Sequence, residues 1–175
     1  MDSDSAKTIP VDPDLVYGKL ENGLTYYIKQ NGKPENRVEL LLVVNTGSIM
    51  EDDHQQGLAH FAEHMAFNGT KRFPKQKLVN YLESIGMQFG PDLNAYTSFD
   101  ETVYMLQIPT DDEQKLVKGF EILEDWAHQL QFENEEIDKE RGVVIEEWRM
   151  RSGARQRLLD QKLPMFLKGS KYANR

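Results

Sequence analysis

Residues 57–70 read GLAHFAEHMAFNGT, and this stretch decides how the rest of the sequence is interpreted. Apolar residues recur in it at steps of three and four and a glycine stands at each end, which predicts an α-helix. These residues are Leu58, Phe61, Ala62 and Met65, between Gly57 and Gly69. Because each residue of an α-helix turns by about 100°, His60 and His64 lie one turn apart on one face, and Glu63 lies beside His60.

The pattern H-x-x-E-H at residues 60–64 is typical of a zinc hydrolase. Two imidazoles one turn apart can bind one divalent ion, and the carboxylate of Glu63 can hold a water molecule against it. A pair of histidines on a helix is equally compatible with an ordinary surface, and the five-residue pattern alone does not decide between the two. The decision depends on residues further along the chain.

Composition limits the chemistry that is available. The chain has no cysteine, which excludes disulfides, thiolate nucleophiles and cysteine zinc sites and leaves histidine and carboxylate as the strong ligands. The net charge of −8 argues against a nucleic-acid partner, which would need a basic face. No apolar run is long enough to span a membrane. Residues 1–5 read MDSDS, unlike a signal peptide.

The order of predicted elements indicates the fold class. Residues 1–14 are predicted to be a flexible tail, and Asn22-Gly23 between two β-rich runs predicts a hairpin. Further strands are predicted over 37–45, 94–98 and 102–108, the first of them apolar enough to be covered on both faces. Helices are predicted over 74–85, from Asp111 to about Leu130, from Asn134 to about Arg151, and for a turn or two before Pro164. This order predicts an α+β fold with a largely antiparallel sheet covered by helices on one face.

A catalytic zinc usually has three protein ligands, so a third ligand is needed beside the two histidines. The remaining histidines are His54 and His128, and a carboxylate is the better candidate. Glu140 and Glu147 are two helical turns apart and share a face with two valines, so at least one carboxylate points towards apolar surroundings, where a metal would satisfy it. The alternative is an exposed acidic stripe beside the flanking arginines. The residues alone leave these alternatives open.

Four segments of the chain resemble one known family, the pitrilysin/insulinase zinc metallopeptidases or inverzincins, and most closely its long bacterial members. They are residues 17–28, 57–74, 94–104 and 133–149. Together they cover most of residues 15–150 in the family's order. The resemblance implies a metallohydrolase domain like that of pitrilysin and mitochondrial processing peptidase.

The resemblance also implies roles for individual residues. His60, His64 and Glu147 would bind one Zn²⁺ per site, and Glu140 would be a carboxylate behind the ligands that orients the site. Glu63 would be the general base. The implied activity is that of a zinc-dependent endopeptidase, which hydrolyses peptide bonds through a zinc-activated water.

The substrate implied by the resemblance is a peptide or small protein that binds as an extended strand. Asn94 and Ala95 match the edge-strand residues that grip the substrate backbone by strand addition. Backbone pairing predicts a loose cleavage preference, because side chains contribute little to it. The alternative for Asn94 is a residue at the start of a strand that satisfies its own turn.

The resemblance leads us to expect that residues 15–175 are the amino-terminal part of a catalytic domain. The carboxy-terminal partner domains of the same protein would then be missing, and the chain would cleave little on its own and could self-associate through an open sheet edge. The alternative function is that of a non-catalytic family member acting as a binding or structural subunit, although the motif residues are intact. A zinc deaminase would need cysteine ligands. Exported bacterial members of the family suggest a periplasmic or secreted protein.

Overall fold

The computed structural model describes residues 10–175, which divide into two compact units at Glu35. In the first unit, β1 (Leu15–Lys19) and β2 (Thr25–Lys29) form an antiparallel hairpin, as predicted. The side chain of Asn22 accepts a hydrogen bond of 3.1 Å from the backbone of Leu24, and Gly23 has a φ of 92°, which glycine adopts without strain. Most of the predicted tail lies outside the described residues, and residues 10–14 are exposed and contain no helix or strand.

The second unit is built on a three-stranded antiparallel sheet with the order β3-β5-β4. The strands are β3 (Arg37–Val44), β4 (Leu93–Thr97) and β5 (Thr102–Pro109), each within a residue of its predicted bounds. Strand β5 is central and pairs Leu106 with Leu40 on one side and Tyr104 with Ala95 on the other. Strand β4 is therefore an edge strand, which decides what can pair with it.

Five helices accompany this sheet in the described part of the chain. They are α1 (Leu58–Asn68), α2 (Lys77–Ser84), α3 (Glu113–His128), α4 (Asn134–Arg151) and α5 (Ala154–Phe166). Helix α2 begins three residues later than predicted because Lys75 has a φ of 55°, outside the helical region. Helix α5 is longer than the one or two turns predicted and includes Pro164.

The core of this unit lies between the sheet and helices α1, α2 and α3. Leu106 and Ile108 of β5 are fully buried there, as is Ile122 of α3. Gly119 lets α3 approach the sheet closely, because a Cβ at this position would lie 2.9 Å from Leu40 and 3.1 Å from Ile108. The α+β architecture with an antiparallel sheet is confirmed.

One prediction about the sheet is wrong. Strand β3 is not covered on both faces, because Leu41 is 58% and Val43 52% exposed while Leu40 is buried. The helices of the described residues pack on one face of the strand only, so its apolar outer side chains face away from the core. An unbroken apolar run therefore does not by itself indicate burial on both faces.

Candidate metal centre and active site

Helix α1 carries the H-x-x-E-H motif, and both of its ends are fixed by contacts with other segments. At its start, the buried carboxylate of Glu51 accepts hydrogen bonds from the backbone of Gly57 (3.0 Å) and Ala59 (2.8 Å), two N–H groups that have no partner within the helix. Near its end, the indole of Trp126 in α3 donates a 3.0 Å hydrogen bond to the carbonyl of Ala66. The motif is thus held on both sides.

Three side chains from α1 and α4 bring their ligand atoms together. Nε2 of His60 and Nε2 of His64 are 3.2 Å apart, and Oε2 of Glu147 lies 3.4 Å from the first and 3.1 Å from the second. Donor atoms at zinc-ligand bond lengths in a tetrahedron are about 3.3 Å apart, so this triangle matches the spacing around a zinc ion. These residues form the one group of possible metal ligands among residues 10–175, and neither His54 nor His128 belongs to it.

Glu140 lies behind His64 and not among the ligand atoms. Its Oε1 is 2.7 Å from Nδ1 of His64, and because a carboxylate only accepts, Nδ1 is the donor of this hydrogen bond. Nε2 of His64 then faces Nε2 of His60 and the carboxylate of Glu147, so three atoms that can each bind a metal ion lie within 3.4 Å of one another.

The alternative of an exposed acidic stripe does not describe α4. The flanking arginines pair with other carboxylates, Arg149 with Glu146 and Arg141 with Asp138 at 3.4 Å. Glu140 is only 13% exposed and lies against α1. Glu146, one position before Glu147, is turned to the surface.

Glu63 is 8% exposed, and its position depends on strand β4. The hydroxyl of Thr97 donates a 2.7 Å hydrogen bond to Oε2 of Glu63, and Oγ1 of Thr97 is 3.4 Å from Oγ1 of Thr102. Thr102 in turn donates to the carbonyl of Thr46 at 2.8 Å. The carboxylate is therefore held by a hydrogen bond from the sheet.

Burial raises the pKa of the Tyr104 hydroxyl from its ordinary value of 10.0 to about 12, and the negative charge of Glu63 adds to the shift. Tyr104 stacks on Trp126 with 5.2 Å between the ring centroids. Its hydroxyl is thus a neutral group throughout the physiological pH range.

The ligand atoms and Glu63 open into a cleft of about 450 Å³, a volume that holds a small ligand or a few residues of a peptide. Asn94 and Ala95 of β4 line the same cleft. The aromatic rings of Phe67 and Phe89 meet edge to face at 5.4 Å in its wall. The sequence-predicted site residues are therefore all brought to one cleft.

The edge of β4 shows a local contact that bears on substrate binding. The backbone N–H of Ala95 donates to the side-chain oxygen of Asn94 at 2.9 Å. The backbone groups of Ser98 and Asp92 form hydrogen bonds on the side of β5. Alternate residues of an antiparallel strand direct their backbone groups to opposite sides, and Ala95 is three residues from each of these two. The N–H of Ala95 therefore points to the free edge of the sheet. In this structure the side chain of Asn94 therefore occupies a backbone donor at the free edge of β4.

Four further residues beside the site were not identified from the sequence. Asn68 donates a hydrogen bond from its amide to Oε2 of Glu140, and Arg151 pairs with Oε1 of Glu147. Thr97 and Glu51 are the other two. Asn68 and Arg151 could have been found from their spacing, since each lies four residues after a site residue on the same helix face.

The fold and this site define a class of protein. The sequence model of the insulinase (Peptidase family M16) family matches residues 26–173, and the chain belongs to this family. In this chain, helices α1 and α4 carry the site, because the side chains of His60, His64 and Glu147 converge between them.

Particular relatives are similar along nearly the whole chain. This chain is 44% identical over 167 residues to the probable zinc protease PqqL of Haemophilus influenzae. The match covers 95% of this chain and 18% of that protein. A crystal structure of the first half of the periplasmic protease PqqL from Escherichia coli superposes with a TM-score of 0.91 at 43% identity, over 97% of the chain and 36% of that structure. The ferredoxin protease FusC, solved in complex with Arabidopsis ferredoxin, gives a TM-score of 0.82 at 31% identity, over 91% of the chain and 18% of that structure. The chain therefore spans about a fifth of the length of such relatives.

Within residues 10–175, none of the helices combines the length and the apolar character needed to cross a bilayer.

Proposed function

We propose that this chain carries the zinc centre of a metalloendopeptidase, with His60, His64 and Glu147 as the ligands. The observation that carries the proposal is the triangle of their ligand atoms, with sides of 3.1 to 3.4 Å. The donor set of two imidazoles and one carboxylate is one that zinc takes in catalytic sites, where it leaves a fourth position open. The names of the relatives as zinc proteases support the same metal.

Glu63 is the general base in this proposal. A zinc ion held by His60, His64 and Glu147 would lower the pKa of its bound water towards neutrality. Thr97 holds Oε2 of Glu63, and among residues 10–175 no hydrogen-bond donor occupies Oε1, so we assign the proton transfer to Oε1. Glu63 takes a proton from the attacking water and delivers it to the departing amine of the peptide. Glu140 keeps Nδ1 of His64 protonated and the ring in place.

The substrate in this proposal is a peptide or small protein that lies extended along β4. Strand β4 is an edge strand that lines the same cleft as the zinc ligands, so a peptide paired with it would pass beside Glu63. Ala95 would give its outward N–H to the substrate backbone, and the side chain of Asn94 would have to release that N–H first. The relative FusC, a protease solved with a protein bound, is consistent with a protein substrate.

The activity of the whole protein is also part of the proposal, since the chain spans only about a fifth of its relatives. We propose that residues 15–175 are the amino-terminal part of the catalytic domain, and that further domains of the same protein complete the site. The E. coli relative is a periplasmic protease, and we propose the same compartment for this protein.

The test is zinc binding followed by peptide cleavage. We expect metal-free chain to bind one zinc per molecule in a calorimetric titration. We expect it to cleave an unstructured peptide far more slowly than the E. coli relative at equal zinc loading, and to lose that cleavage with a chelator. Absence of zinc binding would favour the alternative, a non-catalytic family member acting as a binding or structural subunit.

A further inference from the structure

Helices α1 and α4 meet through a ladder of side chains that extends one step beyond the zinc ligands. Three positions of α1, each four residues apart, face two positions of α4 that are seven residues apart. His60 meets Glu147, and His64 meets both Glu147 and Glu140. Asn68 meets Glu140 at the end of the ladder. Asn68 has no part in the proposed ligand set or in the proton transfer.

Asn68 supplies what Glu140 needs in order to hold a fixed orientation. A carboxylate is only an acceptor, and Oε1 of Glu140 already accepts from Nδ1 of His64 at 2.7 Å. The terminal torsion of a glutamate is broad, so a single hydrogen bond leaves the carboxylate plane free to turn. The amide of Asn68 donates to the other oxygen, Oε2, and thereby holds the carboxylate at both ends.

We propose that Asn68 is a positioning residue that acts on the metal site through Glu140. By holding Glu140 it keeps a proton on Nδ1 of His64 and keeps the ring oriented with Nε2 towards His60 and Glu147. The consequence for metal affinity rests on the proposed zinc site, whereas the consequence for the tautomer concerns the metal-free chain alone.

The first measurement is the tautomer of His64 in the metal-free chain, by long-range ¹H–¹⁵N NMR of the imidazoles. The chain has four histidines, which keeps the assignment simple. At a pH high enough for the imidazoles to be neutral, we expect wild type to show the Nδ1–H form of His64 and Asn68→Leu to show a mixture of both tautomers. Asn80→Leu, the same change at an exposed asparagine of α2, is the matched control and should resemble wild type. If Asn68→Leu does not fold, Asn68→Ala takes its place.

The second measurement is zinc affinity by competition with a chromophoric chelator. Loss of a partner directly behind a ligand costs about 10–100-fold in metal affinity, and Asn68 lies one contact further out, so we expect Asn68→Leu to weaken binding by about 3–10-fold. In a double-mutant cycle with Glu140→Ala, the double variant should bind no more weakly than Glu140→Ala alone, because Asn68 acts through that carboxylate.

The outcomes separate this proposal from the one on which it rests. Unchanged tautomer and zinc affinity in Asn68→Leu would overturn the role of Asn68, and so would additive losses in the cycle. A wild-type chain that binds no zinc would contradict the proposed function, while the tautomer of His64 would still decide the role of Asn68.

Discussion

The hydroxyl of Thr97 donates a 2.7 Å hydrogen bond to the carboxylate of Glu63, and this bond joins strand β4 to the motif helix. The strand that we propose receives the substrate therefore also orients the proposed general base. A shift of β4 would displace both together. A substitution at Thr97 can therefore test how much the orientation of Glu63 depends on the sheet.

Thr97→Val should lower the rate of the chemical step while leaving zinc binding intact. A hydrogen bond to a charged group contributes about 1.5–3 kcal/mol, so we expect kcat to fall by about 10–100-fold with little change in KM. Single-turnover cleavage with the chain in excess makes slow rates measurable. Thr97→Ser keeps the hydroxyl and should restore most of the rate. Equal losses in the valine and serine variants would remove Thr97 from this role.

Glu63→Gln should separate metal binding from catalysis. The amide keeps the shape of the side chain but cannot accept the proton, so cleavage should fall by about 10²–10⁴-fold while one zinc per chain is retained. Zinc content is measured by atomic emission and cleavage by mass spectrometry of the peptide products. Activity near that of wild type would exclude Glu63 as the base.

Glu147→Ala should remove the third ligand of the proposed zinc site. We expect zinc affinity to fall by about 100-fold or more, because changes one contact behind a ligand already cost 10–100-fold. The control is Glu146→Ala, which removes the same charge from the neighbouring residue, where the carboxylate pairs with Arg149 at the surface. Undiminished zinc binding in Glu147→Ala would point to Glu140 as the third ligand instead.

Glu51→Ala should destabilise the chain through the start of α1. The carboxylate accepts hydrogen bonds from two backbone N–H groups of that helix end, and loss of such a cap costs about 1–2 kcal/mol. Urea unfolding followed by circular dichroism measures the change in the free energy of unfolding. Glu83→Ala, the same substitution at an exposed position of α2, should change it by less than about 0.5 kcal/mol. Equal effects of the two variants would show that Glu51 is not a significant cap.

Tyr104 should make the chain less stable at alkaline pH. Its pKa is raised to about 12 in the folded chain from an ordinary value of 10.0, so the neutral hydroxyl favours the folded state. The stability it contributes is fully present below pH 10 and is lost as the pH rises towards 12, by about 2 kcal/mol. Tyr104→Phe should lose correspondingly less stability over that range, as measured by urea unfolding at several pH values. The control is Tyr27→Phe at an exposed tyrosine, which should follow wild type.

Short-range spacing predicted the elements of the fold and placed His60, Glu63 and His64 on one helix, whereas the roles of Glu147, Asn94 and Ala95 were implied only by the resemblance to a known family. Helical periodicity places His60, Glu63 and His64 without any tertiary information. The seven-residue spacing of Glu140 and Glu147 places them on one face, and the packing of α4 on α1 then decides which of them meets both histidines.

The remaining features depend on contacts between distant segments. No local pattern indicates that Thr97 meets Glu63 or that Glu51 caps α1, since the paired residues come together only when the chain folds. The exposed face of β3 was missed for a related reason, because an apolar run does not say how many layers cover a strand. The start of α2 depends on the backbone of Lys75, which hydrophobic spacing does not report.

The hydrogen bond from the N–H of Ala95 to the side chain of Asn94 competes with any backbone that would pair with this edge of the sheet. An incoming backbone must exchange an existing partner for a new one, so its net gain at this point is a difference between two similar hydrogen bonds. Short or poorly aligned segments gain little from that exchange. The same occupied donor leaves one backbone N–H fewer for pairing with another copy of the chain, whereas a peptide that contacts the proposed metal ligands would gain a further interaction there.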